Sequence, residues 1–331
     1  MDQKLKTNAD IAARATGAIG CGLLQLIGHT PLLSLSHLEQ DVPGVRLFAK
    51  AEWFNPGGSV KDRAAASIIA DAERAGRLTP GVALLDASSG NTAIAYAMIA
   101  AAKGYRATLC VPKNANAQVL GLLRLYGAEV VLTDPLQGSD GAIREARRMA
   151  AEFPTQFVYL DQYNNPANWQ AHYRTTAAEI WEQTNGTVTH VVAGLGTTGT
   201  FIGTSRRLKE LNPRIRAIAV QPDAPLHGLE GLKHLDSAIV PGIYDPLVPD
   251  ETMLVSTESA YEAVQQLIQD EGLLVGPSSG AALAASLQLT RELSSGFQEH
   301  PATIVMVFPD SGARYVAEGL FAAPDDRLRS S

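Results

Sequence analysis

The 331-residue chain is poor in charge and lacks long apolar runs, and each shortage excludes a class of protein. Charged residues make up 18% of the sequence and apolar residues 46%, so the chain is not intrinsically disordered. Its formal net charge of −7 supplies no cationic field for nucleic acid or an anionic membrane. The longest apolar run, 93–102, is too short for a membrane span. We expect a protein that binds neither, built from about two domains or lobes.

Cysteine is also scarce, since only Cys21 and Cys110 occur. Two scattered thiols make neither a disulfide framework nor a zinc cluster. We therefore predict no metal site and a reducing compartment, which is the cytoplasm by default. The first 20 residues mix acidic and basic side chains before any apolar stretch, unlike a secretory signal.

Strand-like and helix-like segments alternate along the chain. Short β-branched runs such as 45–51 and 190–193 alternate with longer alanine- and leucine-rich runs, including one predicted helix over 172–183. This alternation predicts an α/β fold with parallel-rich sheets flanked by helices. Ligands of such sheets bind where strands end and loops lead into helices. Polar or glycine-rich loops at those points are therefore candidate binding sites.

The lysine loop, 55–63, carries a cation where a helix begins. Its proline and paired glycines predict a tight loop, and Lys61 falls in the first turn of the following helix. A cation there opposes the helix dipole. One interpretation is an ordinary surface lysine. The other is an amine of lowered pKa that forms a Schiff base with a carbonyl compound.

The serine loop, 86–92, lies between a predicted strand and an alanine-rich helix. Four of its residues can cap a helix N-terminus, namely Ser88, Ser89, Asn91 and Thr92. An ordinary N-cap needs only one such side chain. The surplus favours a bound carboxylate at this helix N-terminus.

The glycine loop, 194–200, reads Gly-Leu-Gly-Thr-Thr-Gly-Thr and suits a phosphate. It also matches the G-x-G-x-x-G pattern of nicotinamide dinucleotide sites, but Gln221 stands where an acidic residue is usual, which weakens that alternative. A fourth loop, 276–280, contains Ser278 and by itself predicts only an N-cap. Together the four loops supply a lysine, a carboxylate pocket, a phosphate pocket and a further hydroxyl, which are the groups that pyridoxal 5′-phosphate requires.

On these loops, and on Asp310–Tyr315, the sequence resembles the fold-type II pyridoxal-phosphate enzymes. It is similar to their cysteine synthase and cystathionine β-synthase group over about 24–321. The Gly-Thr-Thr-Gly-Thr form and the segment 240–244 look most like the B-type cysteine synthases.

The resemblance implies one catalytic unit with a two-lobed fold like that of the tryptophan synthase β chain. The smaller lobe is expected at about 52–165, and the larger lobe at about 20–51 plus 166–325. Residues 1–19 are an N-terminal extension to the family core.

The resemblance also implies roles for individual residues. Lys61 is the catalytic residue, which binds the cofactor as a Schiff base and later moves the α-proton of the substrate. The cofactor-binding residues are Lys61, Asn91, Gly196, Thr197, Thr198, Gly199, Thr200 and Ser278. The substrate-binding residues are Ser88, Ser89, Gly90, Thr92, Gln162 and Gly228.

The implied activity is a transferase reaction of cysteine biosynthesis, in which a sulfur nucleophile replaces the β-substituent of O-acetylserine or O-phosphoserine. Cystathionine synthesis and diaminopropionate-type β-replacement stay open as related alternatives. A nicotinamide-dependent oxidoreductase and a non-catalytic binding module are the alternatives from other classes. The family likeness also implies a homodimer, with a sulfur-carrier protein or a C-terminal tail as a possible partner.

Several positions depart from the family pattern. His29 replaces the usual asparagine, Ala93 replaces a glycine, and Val119 and Leu120 stand near the place of two arginines. These changes surround the substrate and spare the cofactor set. Lys233 is interpreted as a solvated surface lysine, or alternatively as a partner for an anionic leaving group such as phosphate.

Overall fold

The structure is a computed structural model that describes residues 22–294 and 301–316. The predicted N-terminal extension, 1–19, and Cys21 lie outside the described residues. No helix within the described ranges is long and apolar enough to cross a bilayer.

The described residues contain ten strands in two sheets. The strands are β1 (Leu32–Ser34), β2 (Val45–Ala51), β3 (Ala83–Ala87), β4 (Arg106–Pro112), β5 (Glu129–Thr133), β6 (Phe157–Tyr159), β7 (His190–Gly194), β8 (Arg216–Pro222), β9 (Glu251–Val255) and β10 (Ala302–Phe308). The larger sheet has six strands in the order β1-β2-β10-β7-β8-β9, and the smaller has four in the order β5-β4-β3-β6. Among the strand pairs of the described residues, only β1 and β2 run antiparallel.

Nine α-helices accompany these strands in the described part of the chain. They are α1 (Lys61–Arg74), α2 (Asn91–Lys103), α3 (Ala117–Leu125), α4 (Gly138–Glu152), α5 (Ala167–Arg174), α6 (Thr176–Gln183), α7 (Gly199–Leu211), α8 (Thr257–Glu271) and α9 (Pro277–Ser294). Helices α2, α4, α7 and α8 follow strands β3, β5, β7 and β9, as the alternation in the sequence predicts.

Both faces of the larger sheet are buried. Every residue of β10 is buried, and alternate side chains enter different cores because successive residues of a strand point to opposite faces. Ile304, Met306 and Phe308 pack with α8 and α9 residues, whereas Val305 and Val307 pack with α7 residues. This arrangement confirms the predicted α/β fold with parallel-rich sheets covered by helices.

The two sheets divide along the sequence. All four strands of the smaller sheet fall within 52–165, and all six strands of the larger sheet fall outside that range. The lobe boundaries themselves stay a prediction.

The prediction of a single helix over 172–183 is wrong, because the chain forms two helices, α5 and α6, with a break at Thr175. This residue has φ −117° and ψ −67°, outside helical values. Its hydroxyl donates to Ala171 O at 2.8 Å and accepts from Arg63 Nη1 at 3.1 Å. The distant arginine therefore helps to fix a bend that the local sequence pattern does not reveal.

Candidate active site

A cavity of about 600 Å³ is lined by loops from both sheets. A smaller recess opens beside it, and the two spaces share seven lining residues: Lys61, Asn91, Gly196, Thr197, Glu230, Gly231 and Leu232. All but two of the predicted site residues line one or both of these spaces. Four loops that are far apart in sequence therefore meet in one place.

The two exceptions are Gly199 and Gly228. Gly199 lies within the glycine loop and is the first residue of α7. The backbone N–H of Gly228 donates to Thr257 Oγ1 at 2.9 Å, and its carbonyl accepts from Tyr261 Oη at 3.1 Å. Because both backbone groups of Gly228 already have partners, nothing in this geometry supports a contact with substrate, and its role stays a prediction.

Lys61 is the first residue of α1 and lines both the cavity and the recess. Burial lowers the pKa of the amine, while the carboxylates of Asp310 and Glu52 act to raise it. Within the described part of the chain, Lys61 Nζ makes no hydrogen bond. The site thus contains a lysine amine of increased nucleophilic character.

Buried ion pairs hold the start of α1 and therefore the backbone of Lys61. Arg63 donates to Glu52 at 2.7 and 2.8 Å and to Glu179 at 2.6 and 2.7 Å. Lys50 adds a bond to Glu179 at 2.7 Å. The side chains of Arg63 and Glu52 are 2% and 0% exposed, so solvent screens this network only weakly.

Two residues beside Asn91 were not assigned a role from the sequence. Asp310, which follows β10 and is 1% exposed, accepts from Asn91 Nδ2 at 2.7 Å and from Tyr315 Oη at 2.6 Å. Arg314 donates to Asn91 Oδ1. Burial raises the pKa of the Asp310 carboxyl, although its hydrogen bonds and nearby cations oppose the shift. The similarity at Asp310–Tyr315 was the available signal, but it gave no role for either side chain.

The glycine loop leads from β7 into α7 and forms a close-packed cradle. Thr198 has φ +67°, a left-handed conformation that is rare for a β-branched residue and is typical of functional loops. A Cβ added at Gly196 would lie under 3.0 Å from Gly231 O, so only glycine fits. Within the described chain, the buried Thr198 Oγ1 has no hydrogen-bond partner. An unpaired buried hydroxyl in such a cradle fits an anion that is bound at this loop.

The serine loop connects β3 to α2 beside the same cavity. Ser88, Ser89, Gly90 and Thr92 all line it, as does Gln162 from the segment after β6. These hydroxyl and amide groups converge near the N-terminus of α2, where a carboxylate is favoured.

Asp86 links the serine loop to Gln162 through hydrogen bonds. Asp86 accepts from the backbone N–H groups of Ala87 at 2.8 Å and Gln162 at 3.1 Å, and Gln162 Nε2 donates to Ala87 O at 2.8 Å. Burial raises the pKa of the Asp86 carboxyl to about 7.

Lys233 is not the solvated surface lysine that the first interpretation expects, and that expectation is wrong. It is 8% exposed and lines the cavity. Its Nζ lies 3.2 Å from Asp140 Oδ1 and 5.1 Å from the centre of the Tyr163 ring. The loop after β8 folds back over the cavity and buries this amine.

The residues of the site fit pyridoxal 5′-phosphate. The chain offers an amine for the aldehyde, a phosphate cradle with an unpaired threonine hydroxyl, and Ser278 in the same recess. A dinucleotide fits less well, because Gln221 Oε1 at the end of β8 accepts from Leu235 N at 3.2 Å and is not free for a ribose.

Comparison with known proteins agrees with this geometry. Residues 23–310 match the family model described as "Pyridoxal-phosphate dependent enzyme". The chain belongs to this family. Its cofactor is pyridoxal 5′-phosphate, and the expected resemblance to the cysteine synthase group is confirmed.

Named relatives cover nearly the whole chain. A cysteine synthase of Aquifex aeolicus is 49% identical over 92% of this chain and 93% of its own length. Cysteine synthase B of Salmonella typhimurium is 40% identical over 90% of this chain and 95% of its own length. The crystal structure of a cysteine synthase from Entamoeba histolytica superposes with a TM-score of 0.85 at 34% identity, covering 94% of this chain and 93% of that one.

Proposed function

We propose that this protein is a pyridoxal-phosphate-dependent transferase that makes L-cysteine from an O-activated L-serine and a sulfur nucleophile. The Cβ–O bond of the activated serine breaks, acetate or phosphate leaves, and a Cβ–S bond forms. One observation carries the proposal: Lys61, the glycine cradle and the serine loop line one cavity and the recess that adjoins it. Relatives at 49% and 40% identity that are named cysteine synthases support the same reaction.

Each predicted residue set has a proposed task. Lys61 holds the cofactor and moves the α-proton, since a lowered amine pKa leaves more of the uncharged base near neutral pH. The threonines of the glycine loop bind the phosphate, and the serine loop with Gln162 binds the substrate carboxylate. Bound pyridoxal 5′-phosphate supplies the electron sink that stabilises negative charge at the substrate Cα.

Ser278 is proposed to hydrogen-bond the ring nitrogen of the cofactor. A serine hydroxyl is a much weaker acid than a carboxylic acid and does not keep that nitrogen protonated. Ser278 would thus leave the bound cofactor a weaker electron sink, which would favour loss of the β-substituent over reprotonation at Cα. This choice of residue favours β-replacement over transamination.

The direct test is to supply the purified holoenzyme with O-acetyl-L-serine and sulfide and to quantify L-cysteine and acetate. We expect equal amounts of both products, and loss of at least about three orders of magnitude in kcat for Lys61→Ala. Lys103→Ala removes a partly exposed lysine that pairs with Glu73 and serves as the matched control with unchanged turnover. Absence of cysteine with both O-acetylserine and O-phosphoserine would contradict the proposal.

A panel of nucleophiles separates the related alternatives. Homocysteine would give cystathionine, and an amine donor would give a diaminopropionate derivative. We expect a higher kcat/KM with sulfide than with either. A binding module without activity would take up the cofactor and turn over none of the three.

Lys233 provides a proposal for the leaving group. Lys233 lines the cavity, and its amine pairs with the carboxylate of Asp140, so an anionic leaving group could compete for this amine. We infer that Lys233 favours O-phosphoserine over O-acetylserine. Lys233→Ala should lower the ratio of the two kcat/KM values, and an unchanged ratio would refute the inference.

The assembly and the location remain proposals that rest on family likeness. We infer a homodimer, to be tested by light scattering of the purified protein. A sulfur-carrier protein or a partner's C-terminal tail could reach the cavity mouth, and competition of a tail peptide with substrate would test this. We expect the cytoplasm as the compartment.

A further inference from the structure

Helix α5 presents two buried polar side chains to the glycine loop, one turn apart. Asn168 is 1% exposed and His172 is 0% exposed. Residues four apart lie on the same face of a helix, and both side chains reach threonine hydroxyls of the loop. Neither belongs to the predicted cofactor set.

Asn168 acts on Thr197 as a donor. Its Nδ2 donates to Thr197 Oγ1 at 3.1 Å and to Gln162 O at 2.7 Å. A carbonyl oxygen can only accept, so the contact with Gln162 fixes which atom of the amide is the nitrogen. Thr197 Oγ1 therefore accepts, and its own proton is left to donate elsewhere.

His172 contacts the hydroxyl of Thr200 in the same loop. Its Nε2 lies 3.3 Å from Thr200 Oγ1, and its Nδ1 lies 3.0 Å from Thr176 Oγ1. Burial holds the pKa of His172 well below its usual value, and the nearby cations Arg63 and Lys61 act in the same direction. A neutral ring carries a single N–H. The tautomer that we propose has Thr176 donating to Nδ1, which leaves the ring N–H on Nε2 to donate to Thr200.

We propose that Asn168 and His172 are positioning residues of the phosphate site: by donating to the hydroxyl oxygens of Thr197 and Thr200, they turn both hydroxyl protons toward the phosphate. A hydroxyl has one proton to donate, so a threonine that donated to an acceptor on α5 could not also donate to the phosphate. Because Asn168 and His172 are donors, they leave both threonine protons available to the phosphate. The inference rests on the proposed phosphate site. It adds that Asn168 and His172, although they do not contact the phosphate themselves, make the site prefer a phosphorylated ligand.

The test compares two ligands that differ only in the phosphate. Holoenzyme is dialysed to equilibrium against pyridoxal 5′-phosphate or against pyridoxal, and the retained ligand is measured by absorbance. The quantity of interest is the ratio of the two dissociation constants. Asn168→Asp replaces the donor by an acceptor and should lower the preference for the phosphorylated ligand by at least about tenfold.

The histidine variants include a rescue. His172→Leu removes the donor and should lower the preference by about tenfold, whereas His172→Gln offers an N–H near the position of Nε2 and should keep it within about threefold. Thr200→Val removes the hydroxyl that His172 orients. In that background His172→Leu should change the ratio no further, because the two residues act as one unit.

Matched controls leave the phosphate site intact. His190→Gln changes another buried histidine, on β7, whose ring bonds to Thr189. Asn212→Asp adds the same charge as Asn168→Asp at a turn after α7. Both should leave the ratio unchanged.

A proportional loss of both ligands in Asn168→Asp and His172→Leu would show a purely structural role and overturn the proposal. An unchanged ratio would overturn it as well. Because the ratio needs no turnover, this result is independent of whether the protein makes cysteine.

Discussion

Glu179 offers the sharpest test of how the chain holds the start of α1. Its carboxylate accepts from Arg63 at 2.6 and 2.7 Å, from Lys50 at 2.7 Å and from the backbone N–H of His29 at 2.9 Å. Burial acts to raise the pKa of Glu179, but the hydrogen bonds and charges of Arg63 and Lys50 outweigh it and hold the pKa at about 2. Its side chain is 13% exposed, so solvent reduces these interactions little.

The shift from the ordinary value of 4.5 to about 2 corresponds to about 3 kcal/mol of folding free energy. The folded pKa is below the unfolded one, so this stability is present above pH 4.5 and is lost as pH falls toward 2. We expect Glu179→Gln to lower the free energy of unfolding by about 3 kcal/mol at pH 7 and by less than half as much near pH 3.

The assay is urea unfolding of the holoenzyme, monitored by circular dichroism at both pH values. Glu145→Gln is the matched control, since Glu145 pairs with Arg148 at the surface, where the two side chains are 29% and 56% exposed. Such a pair contributes at most about 1 kcal/mol. A loss under about 1 kcal/mol for Glu179→Gln at pH 7, or an equal loss at both pH values, would refute the reasoning.

Two further substitutions probe the loops themselves. Gly196→Ala brings a Cβ under 3.0 Å from the Gly231 carbonyl and should weaken cofactor binding at least about tenfold. The control Gly121→Ala adds a Cβ that meets nothing within 4 Å and should leave cofactor binding unchanged. Equal cofactor occupancy in the two variants would contradict the proposed phosphate cradle. For Asp86, the folded pKa of about 7 exceeds the usual 3.8, so its contribution to stability falls as pH rises through that range. Relative to the wild type, Asp86→Asn should therefore gain about 2.5 kcal/mol in unfolding free energy between pH 5 and pH 8, and a constant difference would contradict the assigned burial effect.

The sequence predicted those parts of the site whose signals are local. The lysine, serine and glycine loops each combine unusual residues within a few positions and lie where a strand or loop gives way to a helix. Because parallel strands place their carboxyl ends at one edge of a sheet, such loops can be expected to meet. The cofactor and the family followed from this combination and are confirmed.

Long-range contacts could not be predicted in the same way. Asn91 and Asp310 are 219 residues apart, and Asp140 and Lys233 are 93 apart. No local pattern marks either pair. The burial of Lys233 results from a loop that folds back over the cavity, which neither composition nor periodicity reveals.

Short edge strands were missed for a different reason. Strand β1 has three residues, and β9 has five with alternating burial. Both lie at the edges of the larger sheet, where one side is open and the apolar signal is weak. The break between α5 and α6 was missed because Arg63, from α1, stabilises it.

The central claim is that Lys61 holds the cofactor covalently in the resting enzyme. Reduction of the purified holoenzyme with borohydride, followed by digestion and mass spectrometry, tests it directly. We expect one peptide that contains residue 61 with the mass of a reduced pyridoxyl-phosphate adduct on the lysine. An adduct on another lysine, or none from fully loaded protein, would contradict the account.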